Sequence, residues 1–132
     1  MLQSLERHGI PADEIDLINP HGTSTPLGDL REAQAIWTVF GEHTPKVAIS
    51  ATKSLTGHLM GASGAFEGVA TVLSVHHQCA PATANYRDAD PEIQLDVVHG
   101  SARSMPIRYA MSDNIGLGGH NGAVIFKRYD GD

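Results

Sequence analysis

The sequence has a single cysteine, Cys79, and aromatic residues make up only 5% of its 132 positions. One cysteine cannot form an internal disulfide, and this composition predicts a protein of a reducing compartment, the cytoplasm. Cys79 has no base assigned to it, so we interpret it as a structural thiol rather than a nucleophile. The neighbouring His76 and His77 keep the nucleophile alternative open.

Long apolar runs and basic clusters are also absent. No stretch approaches the roughly 20 apolar residues that a membrane span needs, and the chain does not start with the apolar segment of a signal peptide. The net charge is −6 without any run of lysine or arginine, which argues against nucleic-acid binding. The remaining composition, 41% hydrophobic and 18% charged, is that of a globular domain long enough to bury a core.

The apolar pattern alternates between strand-like and helix-like segments, which predicts an α/β fold with a mixed sheet of about five strands. The predicted strands lie within 13–19 and at 47–51, 95–98, 107–111 and 123–126. Three helices are predicted. The first contains Leu2 and Leu5, and the second starts at Thr25 and Pro26 and presents Leu30, Ala33, Trp37 and Phe40. The third covers roughly 61–77 and presents Phe66, Val69, Ala70, Leu73 and Val75. An irregular loop is expected over 81–91.

Candidate chemistry concentrates in the strand-to-helix segment 50–68, SATKSLTGHLMGASGAFEG. Loops at the carboxyl end of a strand are where α/β folds bind ligands, and this loop contains Lys53 and His58. Glu67 lies in the apolar helix that follows, where a buried carboxylate needs a partner, and Lys53 is the obvious one. The alternative is that Lys53 and Glu67 are ordinary surface charges of a helix packed on the sheet.

Two further segments have unusual composition. PHGTSTPLGD at 20–29 forms a second strand-to-helix loop that begins with His21, and 113–122 is a glycine-rich crossing that could admit a substrate chain close to its backbone. Without further context, the preferred interpretation of His21 and His58 is that they are loop histidines bonded to backbone. Eight histidines raise the alternative of a metal site. Because no HxxxH, HExxH or CxxC pair is present, we expect no metal.

Taken together, PHGTSTPLGD at 20–29, SATKSLTGHLMGASGAFEG at 50–68 and NIGLGGHNG at 114–122 resemble the signature segments of a known family. The family is that of β-ketoacyl-acyl carrier protein synthases, and the resemblance is to their C-terminal half, most of all in type II fatty-acid elongating enzymes. It extends through PATANY at 81–86 and VIFKRY at 124–129. It implies that 1–132 is the C-terminal half of a thiolase-like αβαβα sandwich.

The resemblance also implies an activity, a decarboxylating Claisen condensation in fatty-acid or related polyketide synthesis. In these enzymes a cysteine takes an acyl group from the carrier protein, malonyl-carrier protein loses carbon dioxide, and the enolate attacks the thioester. No cofactor is implied. By the same resemblance, His21 and His58 are the active-site histidines and donors to the enolate oxygen, and Lys53 belongs to the same site. The supporting residues are Glu67, Thr23 and Thr25, and the substrate gate comprises Ile115, Leu117, Gly118 and Gly119.

The nucleophilic cysteine of the family lies in the N-terminal half, which this sequence lacks, and Cys79 does not match it. We therefore expect the chain alone to be inactive and to expose apolar surface that the missing half covers. Its implied partners are that half, acyl carrier protein carrying acyl and malonyl groups, and a second copy in a homodimer. The alternative is a non-catalytic acyl-binding or partner subunit of a split synthase. Ile115 and Leu117 stand where the family usually has phenylalanine, and His120 where it often has threonine, which leaves gating and chain-length selection open.

Overall fold

The computed structural model describes residues 1–131, and a five-stranded sheet forms its centre. The strand order is β4-β2-β1-β6-β7; the first four strands are parallel and β7 is antiparallel to β6. The predicted mixed sheet of about five strands is confirmed. A separate two-stranded sheet, β3 with β5, was not predicted. The strands are β1 (Leu17–Asn19), β2 (Ala48–Ile49), β3 (Cys79–Ala80), β4 (Asp96–Val97), β5 (Arg103–Ser104), β6 (Tyr109–Ile115) and β7 (Asn121–Lys127).

Four helices surround the sheet: α1 (Leu2–His8), α2 (Pro26–Phe40), α3 (Lys53–Thr56) and α4 (Ser63–His77). Helix α2 starts at Pro26 because proline at the first helical position sacrifices no hydrogen bond. Helix α4 ends at Gln78, which takes the left-handed conformation usual for glycine. No helix within 1–131 combines the length and apolar character needed to cross a membrane. Shorter 3₁₀ turns occupy Ala12–Glu14, Gly41–Lys46, Met60–Ala62 and Leu117–Gly119.

The core has two parts, one on each face of the sheet. Neighbouring strand residues point to opposite faces, so Ile18 of β1 packs with α1 and α2, whereas Leu17 packs with α4. The result is three layers, helix on sheet on helix. The first cluster contains Leu5, Ile15, Ile18, Ile36, Phe40, Val47, Ile49 and Met111. The second contains Leu17, Ala48, Val75, Ala80, Val98, Ile107 and Ala110.

The buried face of α2 differs from the predicted stripe. Ile36 is fully buried, whereas Trp37 is 36% exposed and donates its indole N–H to the carbonyl of Gln94 at 3.0 Å. Glu32 is also buried, one turn before Ile36. Ala33 and Phe40 are buried as predicted, but the prediction was wrong for Trp37, because a stripe of apolar residues alone leaves out the buried carboxylate of Glu32.

Helix α4 packs on the sheet through a largely polar face. Its buried residues include Ser63, Glu67, Thr71 and Ser74, and among the predicted apolar positions only Val75 is in the core. The hydroxyls of Thr71 and Ser74 donate to the carbonyls four residues earlier, which satisfies them without water. The apolar side chains point away from the sheet and form what we call the outer face of α4: Phe66, Val69, Val72 and Leu73.

The glycine-rich crossing is smaller than predicted. Strand β6 continues to Ile115, which pairs with Asn121 at the start of β7, so only residues 116–120 form the turn of a hairpin. Asp113 and Asn114 were expected in an irregular segment, but they pair across the hairpin with Ala123 and Gly122. Because the turn is rich in glycine, the sequence pattern did not indicate that the residues on either side of it belong to strands.

Candidate active site

The candidate site lies where the carboxyl ends of three adjacent parallel strands meet. His21 follows β1, Lys53 follows β2, and Asn114 is near the end of β6. The structure thus brings together residues far apart in sequence, as the resemblance implied. One local expectation was wrong, since Lys53 begins the short helix α3 rather than lying in an open loop.

Lys53 and Glu67 form a buried ion pair at the base of the site. Lys53 Nζ lies 2.6 Å from Glu67 Oε1, and the two side chains are 4% and 1% exposed. The alternative of two surface charges is wrong. Because isolated buried charges are strongly destabilising, each of these groups depends on the other. The pair joins α3 to α4 and therefore holds the ends of the segment that contains His58.

Asn114 is a site residue that the sequence did not reveal. Its Nδ2 donates to Glu67 Oε2 at 2.9 Å, while its Oδ1 accepts from Lys53 Nζ at 3.2 Å. The same Oδ1 lies 3.3 Å from Nδ1 of His21. The amide thus links the ion pair to a histidine. Recognising that β6 extends to Ile115 would have aligned Asn114 with the other strand ends.

Hydrogen bonds within its own loop fix the tautomer of neutral His58. Its Nδ1 accepts the backbone N–H of Met60 at 3.1 Å and lies 2.9 Å from the hydroxyl of Ser63. Because a backbone N–H can only donate, Nδ1 has no proton, and neutral His58 carries its proton on Nε2. The His58 and His21 rings meet edge to face with centroids 5.5 Å apart.

The loop of His21 is fixed by Glu32, a second residue that the sequence did not reveal. Its two carboxylate oxygens accept the backbone N–H groups of His21 at 2.7 Å and Gly22 at 2.8 Å. Asp113 is buried nearby, and its Oδ1 has no hydrogen-bond partner among the described residues. Burial, then the charge and hydrogen bond of Glu32, raise the pKa of Asp113 to about 8. The carboxyl group of Asp113 is therefore mostly protonated at neutral pH.

The two predicted supporting threonines lie beside this loop. Thr23 lines a cavity of about 550 Å³ together with Lys53 and His58, and its hydroxyl is 3.4 Å from that of Thr25. Thr25 occupies the position before α2, but its side chain makes no capping hydrogen bond. Thr25 therefore precedes α2 without capping it, and its hydroxyl lies near that of Thr23 instead.

Two of the four predicted gate residues lie beside the two histidines, and Gly118 and Gly119 do not line the same cavity. Ile115 and Leu117 line a cavity of about 900 Å³ that also contacts His21 and His58. Leu117 is 93% exposed at the tip of the hairpin. Gly118 and Gly119 have φ values of 74° and 81°, which residues with a side chain rarely adopt. No cluster of three or more His, Cys, Asp or Glu residues within 1–131 is arranged to hold a metal ion.

Comparisons with known proteins identify the family. Residues 1–87 match the family described as "Beta-ketoacyl synthase, C-terminal domain", and the chain belongs to the β-ketoacyl synthase family. Among curated proteins, it is 46% identical over 128 residues to 3-oxoacyl-[acyl-carrier-protein] synthase 2 of Coxiella burnetii. It is 43% identical over 126 residues to the Synechocystis protein of the same name. These alignments cover 97% and 96% of this chain but only 31% and 30% of the relatives' length.

A solved structure extends the likeness to the fold. A ketosynthase complex, a type II PKS acyl-carrier protein with its ketosynthase bound to the hexaketide, superimposes with a TM-score of 0.93 at 32% identity. The alignment covers 97% of this chain and 31% of that one. The predicted fold class is confirmed: the chain has the α/β fold of the C-terminal part of thiolase-like ketosynthases.

Proposed function

We propose that residues 1–132 form the C-terminal domain of a 3-oxoacyl-acyl carrier protein synthase that catalyses decarboxylating Claisen condensation. The product would be a β-ketoacyl thioester of fatty-acid or related polyketide synthesis. The observation that carries the proposal is the pairing of His21 and His58 beside the buried Lys53–Glu67 pair. Two imidazoles and an internally neutralised ion pair suit a reaction in which negative charge develops on an oxygen atom.

In the proposed reaction, the malonyl thioester loses carbon dioxide and leaves an enolate with negative charge on the thioester oxygen. His58 is suited to stabilise that oxygen because Met60 and Ser63 direct its Nε2–H outward. A fixed donor needs no reorganisation during the reaction, and one such donor typically contributes about 10²–10³ in rate. His21 reaches the same space and is the second imidazole of the proposed site.

Lys53 and Glu67 have a supporting role in this proposal. Their charges neutralise each other at 2.6 Å and are shielded from water, so neither group is free to exchange protons with substrate. The pair fixes α3 against α4, and the segment between these helices contains His58. Thr23 and Thr25 are proposed to support substrate binding at the adjoining cavity, and the hairpin tip with Leu117 is proposed to gate the acyl chain.

The proposed enzyme is not complete in this sequence. The acyl-accepting cysteine and the remainder of the acyl channel would come from the N-terminal part of the synthase. The proposed partners are that part, acyl carrier protein with acyl and malonyl groups, and a second copy in a homodimer. A cytoplasmic location is proposed from the near absence of cysteine. The second candidate, a non-catalytic subunit of a split synthase, is favoured only by the missing cysteine.

A domain exchange tests the proposal. Residues 1–132 would replace the aligned C-terminal segment of the Coxiella burnetii relative, which supplies the N-terminal part. We expect the folded hybrid to form β-ketoacyl-carrier protein from acyl- and malonyl-carrier protein, and its His58→Ala variant to decarboxylate malonyl-carrier protein about 10²–10³-fold more slowly. A folded hybrid without product would contradict the catalytic proposal and favour the non-catalytic subunit.

The isolated chain provides the matched control. With the same substrates it should form no β-ketoacyl product, because no acyl-accepting cysteine is present at its site. Product that disappears in a Cys79→Ala variant would show instead that Cys79 is a nucleophile and that its structural assignment is wrong.

A further inference from the structure

Asn114 connects two parts of the site that have different chemistry. On one side it contacts the buried ion pair, with Oδ1 at 3.2 Å from Lys53 Nζ and Nδ2 at 2.9 Å from Glu67 Oε2. On the other side, the same Oδ1 lies 3.3 Å from Nδ1 of His21. The orientation of this one amide therefore determines whether Nδ1 of His21 faces a hydrogen-bond acceptor or a hydrogen-bond donor.

The ion pair fixes the orientation of this amide. A lysine ammonium can only donate hydrogen bonds, and an ionised carboxylate can only accept them. If the Asn114 amide were turned over, its NH₂ group would face Lys53 and its oxygen would face Glu67, and both contacts would become repulsive. The oxygen of Asn114 is therefore held toward His21.

A ring nitrogen that faces a fixed acceptor must carry a proton to bond to it. A neutral imidazole has one proton, so a proton on Nδ1 leaves Nε2 with a lone pair. His58 has the reverse arrangement, because the N–H of Met60 occupies its Nδ1. The two rings are neighbours, but their surroundings favour opposite tautomers.

We propose that Asn114 is a positioning residue that keeps the proton of neutral His21 on Nδ1, so that the two histidines present different groups to the substrate. The part that these groups play toward a substrate rests on the proposed function, whereas the tautomers themselves follow from the hydrogen bonds alone. His58 offers an N–H, and neutral His21 offers a lone pair that can hold a water molecule or a substrate N–H or O–H group. His21 donates from Nε2 only in its doubly protonated form, so of the two histidines expected to donate to the enolate oxygen only His58 does so while neutral.

Nitrogen-15 NMR of the histidine-labelled protein tests the tautomers directly, since long-range proton–nitrogen correlations distinguish the two neutral forms of each ring. At about pH 8, where ordinary imidazoles are mostly neutral, we expect His21 to be protonated on Nδ1 and His58 on Nε2. His21→Asn and His58→Asn variants assign the signals. In Asn114→Leu, which has similar size but no acceptor, the His21 ratio of Nδ1–H to Nε2–H should fall by about tenfold, the effect of one lost hydrogen bond.

Two further variants separate this effect from general disturbance. Asn114→Gln keeps an amide that can accept from His21 and donate to Glu67, and it should keep the Nδ1–H form. Asn121→Leu makes the same chemical change at another residue of the same cavity and should leave the His21 signals unchanged. Wild-type His21 protonated on Nε2, or an unchanged ratio in folded Asn114→Leu, would overturn the proposal. If Asn114→Leu does not fold, the wild-type and Asn114→Gln spectra decide.

Because no activity is measured, the result is independent of the proposed function. A hybrid enzyme without condensing activity would contradict the proposed function but not the assignment of the tautomers. A His21 protonated on Nε2 would contradict the role of Asn114 but not the result of the domain exchange.

Discussion

At the scale of single residues, the Lys53–Glu67 pair gives the sharpest stability prediction. Lys53→Ala or Glu67→Ala alone leaves one buried charge uncompensated and should lower the free energy of unfolding by about 3–5 kcal/mol. The double variant should lose much less than the sum of the two. Denaturant unfolding of the four proteins measures the coupling.

A more exposed ion pair in the same chain provides the control. Arg103 and Asp96 are 40% and 34% exposed, so Arg103→Ala should cost no more than about 1 kcal/mol. Simple additivity at Lys53 and Glu67 would mean that their contact contributes nothing to folding and that the two residues act separately.

Asp113 makes stability depend on pH. In the folded chain its carboxyl keeps a proton up to about pH 8, whereas in the unfolded chain it ionises above about pH 4. Between these values unfolding releases a proton, so this group makes the free energy of unfolding fall as pH rises, by up to about 1.4 kcal/mol per pH unit. The contribution is complete below about pH 4 and lost above about pH 8.

Asp113→Asn should remove most of this decline and make the protein more stable at neutral pH than the wild type. Among the charged groups near Asp113, Glu32 raises its pKa, whereas the amino group of Met1 and then Lys53 oppose the rise. Thermal unfolding from pH 4 to pH 9 tests the prediction. A variant with the wild-type slope would show that Asp113 is ionised in the folded protein.

The sequence was informative about residues whose chemistry is unusual in their segment. Lys53 and Glu67 could be paired in this way, because an unpaired buried charge is costly, whereas His21 and His58 were selected by the resemblance to β-ketoacyl synthase segments. Asn114 and Glu32 could not be selected, because an amide at a strand end and a glutamate on a helix are common on surfaces. Their roles depend on contacts between segments 47 and 10 positions apart in the chain, which no local pattern encodes.

At the scale of elements, the hairpin turn gives a prediction about glycine. A Cβ at Gly116 would lie 2.8 Å from the carbonyl oxygen of His120, the same atom that accepts the Gly116 N–H at 2.6 Å. Because that oxygen belongs to the backbone, Gly116→Ala must shift the turn. We expect a loss of about 1–3 kcal/mol in stability, the range for backbone strain and overpacking.

Gly122→Ala is the matched control for this change. Gly122 lies in β7 of the same hairpin, has no positive φ, and a Cβ there would meet no atom within 4 Å. Its effect on the unfolding midpoint should be small. Equal effects of the two substitutions would show that the hairpin turn adapts freely to a side chain at Gly116.

Elements with strong start or stop signals could be predicted well, and the orientation of helices could not. Thr25 with Pro26 marked the start of α2 correctly. The inward face of α4 was missed because the rule that apolar residues face inward assumes that all the layers of a fold are present. The face of α4 that packs on the sheet consists mostly of polar residues, and the larger apolar residues of this helix face away from the sheet.

At the scale of the whole molecule, the outer face of α4 predicts behaviour in solution. Phe66 is 48% exposed and Val69 60% exposed on one helix surface, and apolar patches beyond a few hundred Å² usually mark an interface. We expect the chain to bind an apolar fluorescent dye and to self-associate in sedimentation. Phe66→Gln with Leu73→Gln should reduce both effects without lowering stability.

A substitution on the opposite side of the same helix is the control. Val75→Gln places a polar group in the core and should destabilise the chain by roughly 2–5 kcal/mol. A monomeric wild-type chain that binds no dye would contradict the expectation that another part of the protein covers this helix.

The end of β6 has a consequence for the evolution of this chain. Asp113 and Asn114 are adjacent in one strand, and the alternation of side chains directs the first toward Glu32 and the second toward Lys53 and Glu67. Insertion of a single residue between Tyr109 and Asp113 would move Asp113 into the place of Asn114, so that a carboxyl group met the ion pair, and would move Asn114 on to the place of Ile115. Changes of length in descendants of this sequence should therefore be confined to the turn beyond Ile115, where neither contact is affected.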